Sequence, residues 1–294
     1  MLNLIEISTE LNQRVGIRCN IESVQVVSGG SINSAYKLLT DDCPLFLKTN
    51  KADSIEMFQS EAEGLQTLRD SGSVEVPEVI DVGCVNEQCY LALKWIDFVE
   101  KTTDAEIQLG SALANQHRCV TEQYGWHRDN TIGSTLQINI CSSNWIEFFR
   151  DRRLCYQLEL AEKRGLPKNQ LVQGYDLLKI LDRFFEDRDI KASLLHGDLW
   201  SGNWGCDISK KTYVYDPAVY YGDRESDLAM TRLFGGFSDV FYSAYNKSWQ
   251  LDYGWEKRLD LYNLYHLLNH FNLFGHAYLE QVATCLQRLG HWTK

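Results

Sequence analysis

Residues 195–205 read LHGDLWSGNWG, and the next apolar run, TYVYD, ends on Asp216. Moving a phosphoryl group onto a hydroxyl asks little of a protein. It needs one carboxylate to orient and deprotonate the attacking hydroxyl, and oxygen ligands for magnesium on the nucleotide phosphates. The segment offers these in order: Asp198 as the base, Asn203 five residues on as a magnesium ligand, and Asp216 as the magnesium carboxylate arriving on the next strand. Singly, an Asp or Asn in a glycine-containing loop more often satisfies turn backbone groups. All three at this spacing, with an apolar run on each side, point to the catalytic loop of a kinase.

The same chemistry makes demands upstream: a phosphate-covering loop, a lysine on the third strand and a glutamate on the helix that follows. Gly29-Gly30-Ser31-Ile32-Asn33 stands between β-rich runs, where glycines let backbone N–H groups approach phosphate oxygens. A Gly-Gly turn alone would be read as a hairpin. Gly29, Gly30, Ser31 and Asn33, with Lys48, are therefore the nucleotide-binding candidates. Lys48 falls inside the apolar run PLFLKT, where an ammonium without a partner is costly to desolvate. Its expected partner is Glu61, on MFQSEAEGLQTL and three residues beyond apolar Phe58. Glu63 is the competitor. ATP and Mg2+ are the expected cofactors.

Around these motifs the hydrophobic pattern changes character once. Leu4, Ile7, Leu11 and Val15 recur at helical spacing. Residues 21–28, 32–40 and 44–49 then read as a three-stranded antiparallel sheet, 54–71 as a helix stopped by Gly72, and 79–85 and 88–95 as two further strands. After Asp97 helical patterns dominate, over 103–120, 144–164, 168–187 and 255–289, with ASLLH and TYVYD bracketing the polar loop. The predicted class is α+β: a two-lobed chain with a small antiparallel β lobe carrying one helix over 1–97 and a larger, mainly helical lobe over 98–294.

The composition excludes several functions. With 44% apolar, 12% aromatic and 23% charged residues and only four prolines among 294, the chain is globular rather than disordered. Its 29 basic and 40 acidic residues give a net charge of −11, the wrong sign for binding a nucleic-acid backbone. Nine cysteines without a C-x-x-C pair read as reduced thiols of a cytoplasmic protein. Glu6 and Glu10 break any signal-peptide core, and no run reaches the roughly 18 apolar residues of a membrane span. His117, His127, His266, His270 and His276 lack a zinc-ligand pattern with its third ligand. The expected partner is a small molecule, and the expected state a monomer or weak dimer.

Taken together, these segments resemble the fructosamine kinases, or ketosamine 3-kinases, a branch of the protein-kinase-like fold close to the aminoglycoside and choline kinases. The resemblance spans nearly the whole chain. It rests on GGSINSAYKL (29–38), FLK (46–48), MFQSEAEGL (57–65), YGWHRDNTIGSTLQIN (124–139), LHGDLWSGNWG (195–205) and DPAVYYGDRESDLAMTRLFGGF (216–237). It implies ATP- and magnesium-dependent phosphorylation of the 3-hydroxyl of a ketosamine, the adduct of a sugar with lysine or another amine. The 3-phosphate then decomposes and frees the amine, which is deglycation. For plant and bacterial members the resemblance implies ribulosamines and erythrulosamines rather than fructosamines.

Carried onto this chain, the resemblance has Lys48 and Glu61 orient the phosphates, Asp198 act as base, and Asn203 and Asp216 hold magnesium. Trp200 would lie against the sugar, and an indole face suits a polyol on chemical grounds too. Some members carry cysteine where this chain has Ser31, so no redox role is implied there. An aminoglycoside kinase would be expected to show acidic pocket residues, a choline kinase an aromatic cage. A non-catalytic scaffold would have no need to keep Lys48, Asp198, Asn203 and Asp216 intact.

Overall fold

The computed structural model describes residues 4–16, 18–27 and 32–290. Gly29, Gly30 and Ser31 therefore lie outside the described residues, while Asn33 lies within them. The chain opens with α1 (Leu4–Val15), and Ile7 and Leu11, one helical turn apart, are fully buried. They pack on one face of an antiparallel sheet, against Leu38, Leu45, Leu47, Tyr90 and Ala92. The sheet comprises β1 (Ser23–Val27), β2 (Ser34–Leu39) and β3 (Leu45–Lys51), then, after α2 (Ile55–Asp70), β4 (Val79–Val85) and β5 (Gln88–Lys94). Its order is β1-β2-β3-β5-β4. The three strands and the later pair expected from the sequence thus form one five-stranded sheet, because β5 inserts beside β3 and leaves β4 on the edge.

Strand alternation decides where Lys48 points. Leu45 and Leu47 face α1, so Phe46 and Lys48 emerge on the opposite face, where Lys48 lies opposite Leu91. That face is covered by α2, whose Phe58, Leu65 and Leu68 are fully buried with Leu91 and Leu93. A lysine on β3 and a glutamate on α2 are thereby brought together by the layer packing itself.

The remainder begins with β6 (Phe98–Val99) and α3 (Thr103–His117), capped by the Thr102 hydroxyl accepting from the Ala105 N–H. The short β7 (Val120–Thr121) ends the expected 103–120 helix early. A hairpin of β8 (Asn130–Ile132) and β9 (Thr135–Gln137) precedes a long helix. That helix consists of α4 (Trp145–Phe148), a π-wound stretch at Phe149–Cys155 and α5 (Tyr156–Lys163). Next comes α6 (Lys168–Leu178), with a separate 3-10 turn at Leu181–Phe184 where the sequence suggested one continuous helix.

The catalytic-loop region carries more strands than expected: β10 (Ala192–Leu195), β11 (Trp204–Asp207), β12 (Thr212–Val214) and β13 (Tyr220–Gly222). The two apolar runs read from the sequence do not pair with each other. The first, β10, lies between β13 and β7; TYV of the second, β12, pairs with β11, which also pairs with β6. Four helices complete the chain, α7 (Glu225–Leu233), α8 (Asp239–Ser248), α9 (Trp255–Phe274) and α10 (Leu279–Leu289). No helix among the described residues is long and apolar enough to cross a membrane.

Candidate active site

A cavity of about 740 Å³ lies between the N-terminal sheet and the β10–β13 region. Its wall brings together Asn33, Lys48, Glu61, Asp198, Asn203 and Asp216, residues drawn from 184 positions of sequence. Lys48 is only 6% exposed, and its ammonium donates to Glu61 Oε1 at 2.7 Å and to Asp216 Oδ1 at 2.6 Å. Burial alone would pull the lysine down, but the charges of Asp216 and Glu61 outweigh it and hold Lys48 charged. Burial, with the nearby Asp216 charge, pushes the Glu61 carboxyl above the usual carboxylate range against the opposing pull of Lys48.

Glu63, the competing carboxylate, turns outward on α2. It meets Arg128 at 2.7 Å and His127 at 3.1 Å with 44% of its side chain exposed. Glu61→Gln should lower kcat/KM for nucleotide by roughly 10- to 150-fold, the worth of a hydrogen bond to a charged group. Glu63→Gln should stay within about twofold, because exposed ion pairs contribute little. Steady-state kinetics on both variants checks the pair, and equal losses would contradict the assignment.

The catalytic-loop turn is set by Gly197. Its φ is +83°, and a Cβ there would sit 2.0 Å from the Ala218 carbonyl oxygen, so only glycine fits. The chain is then fastened from behind. Asp227, buried on α7, accepts the His196 N–H at 2.7 Å and the Gly197 N–H at 2.8 Å. His117 of α3 donates to the same carboxylate at 3.1 Å, while its other nitrogen meets the Tyr245 hydroxyl of α8 at 2.8 Å. Burial would push the Asp227 carboxyl up; the hydrogen bond and charge of His117 more than offset this and hold it below the usual carboxylate range. Asp227 and His117 carry no signal in the sequence beyond an unremarkable Asp and a lone His.

Asp198 projects from this fastened loop. Its carboxyl is pushed up to about 7, first by burial, then by the charges of Asp216 and Asp227, with the Asn203 hydrogen bond opposing. Asn203 donates from Nδ2 to the Asp198 backbone carbonyl at 2.9 Å and to its carboxylate at 3.3 Å. With its nitrogen so used, the group Asn203 has to offer a cation is its amide oxygen. That oxygen and the Asp216 carboxylate are hard oxygen donors of the kind magnesium favours. No cluster of three or more His, Cys, Asp or Glu arranged for a metal occurs among the described residues.

Trp200, 37% exposed, lines the cavity beside Asp198, and its ring closes over Gly202, where a Cβ would meet it at 2.2 Å. His270 of α9 also lines the cavity, a placement that no sequence motif signals. Its Nδ1 contacts the His266 carbonyl at 2.8 Å and must carry the proton, and burial lowers its pKa, so the neutral ring presents Nε2 as an acceptor.

The sequence profile of the fructosamine kinases matches residues 3–291. The chain belongs to the fructosamine kinase family. A Synechocystis protein named "Probable ketoamine kinase" is 39% identical over 285 residues, covering 96% of this chain and 95% of its own length. The chloroplastic protein-ribulosamine 3-kinase of Arabidopsis thaliana is 40% identical over 274 residues, covering 92% of this chain and 83% of its own. Among solved structures, a Haemophilus somnus protein assigned as a fructosamine-3-kinase superposes with a TM-score of 0.89 at 26% identity, over 96% of each chain. An aminoglycoside phosphotransferase reaches 0.66 at 16% identity over 98% of each chain, a likeness of fold. This member of the fructosamine kinase family therefore has the protein-kinase-like architecture its motifs implied.

Proposed function

We propose that the protein is an ATP-dependent ketosamine 3-kinase that binds nucleotide between residues 1–97 and 98–294 and phosphorylates the 3-hydroxyl of ribulosamine- or erythrulosamine-type adducts. The observation that carries this reading is the meeting of Lys48–Glu61 with Asp198, Asn203 and Asp216 on one cavity wall, with Trp200 beside the acid. Asp198 accepts the proton of the substrate hydroxyl, and Asn203 holds it through the backbone carbonyl. Lys48, kept charged, meets the nucleotide phosphates, and Asn33 stands beside them on the cavity wall. Asn203 and Asp216 would hold Mg2+, which screens phosphate charge when bound. Trp200 lies against the sugar chain.

The cavity also speaks against a polycationic aminoglycoside. Among the described residues lining it, the one carboxylate beyond Glu61, Asp198 and Asp216 is Asp97, which is occupied by the Trp95 indole N–H and Lys37. Thr131, Asn269, His270 and Phe274, also on the lining, add no charge, which suits a polyol. All nine cysteines are free thiols, in keeping with a reducing compartment such as the cytoplasm.

Substrate-dependent ADP release from lysine adducts of ribulose, erythrulose and fructose, with choline and kanamycin as controls, tests the reading. Turnover confined to ketosamines supports it; turnover only on a control, or on none, overturns it. The pH profile gives a second check. A base must be ionised to act, so with the Asp198 carboxyl near 7 in the free protein, kcat/KM should fall about tenfold per unit below pH 7 and level off above it. A flat profile from pH 6 to 8 would contradict the base assignment.

A further inference from the structure

We propose that Asn50 is a positioning residue for the nucleotide phosphates, acting through the side chain of Asn33; the proposal rests on the nucleotide site described above. Asn50 lies two residues beyond Lys48 on β3 and so shares its face of the sheet. Its Oδ1 accepts the Lys51 backbone N–H at 2.8 Å. That N–H can only donate, so the orientation of the Asn50 amide is fixed by it. The NH2 group must then point the other way, and it donates to Asn33 Oδ1 at 2.7 Å and toward the Ile32 carbonyl at 3.4 Å.

Asn33 lines the cavity. With its oxygen taken by Asn50, the only group its amide has left for the cavity is Nδ2, a donor. Phosphate oxygens only accept. A backbone N–H on β3 thus sets the polarity of two successive amides, and the second presents an N–H to an anion. Without Asn50 the Asn33 amide is free to rotate and turn its oxygen toward the phosphates. An N–H donated to a charged oxygen is worth roughly tenfold or more in affinity.

The test is direct binding of AMP-PNP with magnesium, and of adenosine, to the full-length protein by calorimetry. Asn50→Ala and Asn33→Ala should each weaken AMP-PNP about tenfold and leave adenosine within twofold, since adenosine has no phosphate to lose. The double variant should bind AMP-PNP no more weakly than Asn33→Ala alone. Asn50→Asp keeps the shape and the bond to the Lys51 N–H but cannot donate; it should weaken AMP-PNP at least as much as Asn50→Ala. Equal weakening of adenosine, a roughly hundredfold loss in the double variant, or an Asn50→Asp protein indistinguishable from wild type would each overturn the proposal. Wild-type protein that binds AMP-PNP yet releases no ADP with ketosamines would sink the proposed reaction and leave this positioning role standing. Wild-type protein that fails to bind AMP-PNP would sink both.

Discussion

Asp198→Asn should lower kcat by roughly two to four orders of magnitude, the usual contribution of a positioned general base, while the KM for ATP stays within about threefold. The asparagine keeps the shape of the side chain, and the Asn203 bond at 2.9 Å goes to the backbone carbonyl, which the substitution does not touch. What disappears is the ability to take a proton. Stability should move the opposite way. A carboxyl whose folded pKa is raised to about 7 costs the folded state free energy once pH climbs above its unfolded value near 4, and most fully above pH 7. Removing that charge should therefore raise Tm at pH 8 and change it little at pH 4. Parallel losses of kcat and nucleotide affinity, or a lower Tm at pH 8, would show that Asp198 is structural rather than the base.

The second large effect belongs to a residue behind the catalytic loop. Asp227→Ala leaves the His196 N–H, the Gly197 N–H and His117 without their shared acceptor, all in a buried place. Breaking a buried charged network by deleting one member costs about 3–5 kcal/mol. Chemical denaturation should register that loss, and the folded fraction should show kcat reduced more than nucleotide affinity, because the loop carrying Asp198 loses its anchor. A variant with wild-type stability and turnover would mean that the loop is held by Gly197 and the Ala218-to-His196 backbone bond of 2.8 Å alone.

The sheet and the lysine–glutamate pair were legible because their signals are local. Strand alternation fixes the face of Lys48, and one helical turn from Phe58 fixes that of Glu61. Helix α7 was not legible, for a definite reason. Glu225, Ser226, Asp227 and Thr231 are all buried beside Leu228, Ala229 and Met230. A helix enclosed on every side by its partners shows no amphipathic stripe, and its buried polar residues read as a loop. In the cavity, Asp198, Asn203 and Asp216 announced themselves by spacing. Asp227, His117 and His270 did not, since their partners lie on other helices far along the chain and no spacing rule links them. The strand β11 hidden inside the polar loop was missed because Trp204–Asp207 is too short to show a period.

The segment following Asp216 is tied down in an unusual currency. Gln137 donates to the Ala218 carbonyl at 3.0 Å and Asn130 to the Val219 carbonyl at 2.8 Å. The Asn130 oxygen in turn accepts from Gln137 and Asn139, each at 2.8 Å, and Asn139 accepts from the fully buried Arg153 at 2.7 Å. Tyr265, held neutral by burial, closes the set on Gln137 at 2.8 Å. Amides do not titrate, a guanidinium keeps its proton, and this phenol keeps its own. The amide framework around Asp216 is thus built from groups that do not titrate near neutrality, whereas Asp198 on the same cavity wall, pushed up to about 7, changes charge there. Mild acid should therefore switch the chemistry off and on again reversibly while this amide framework stays in place.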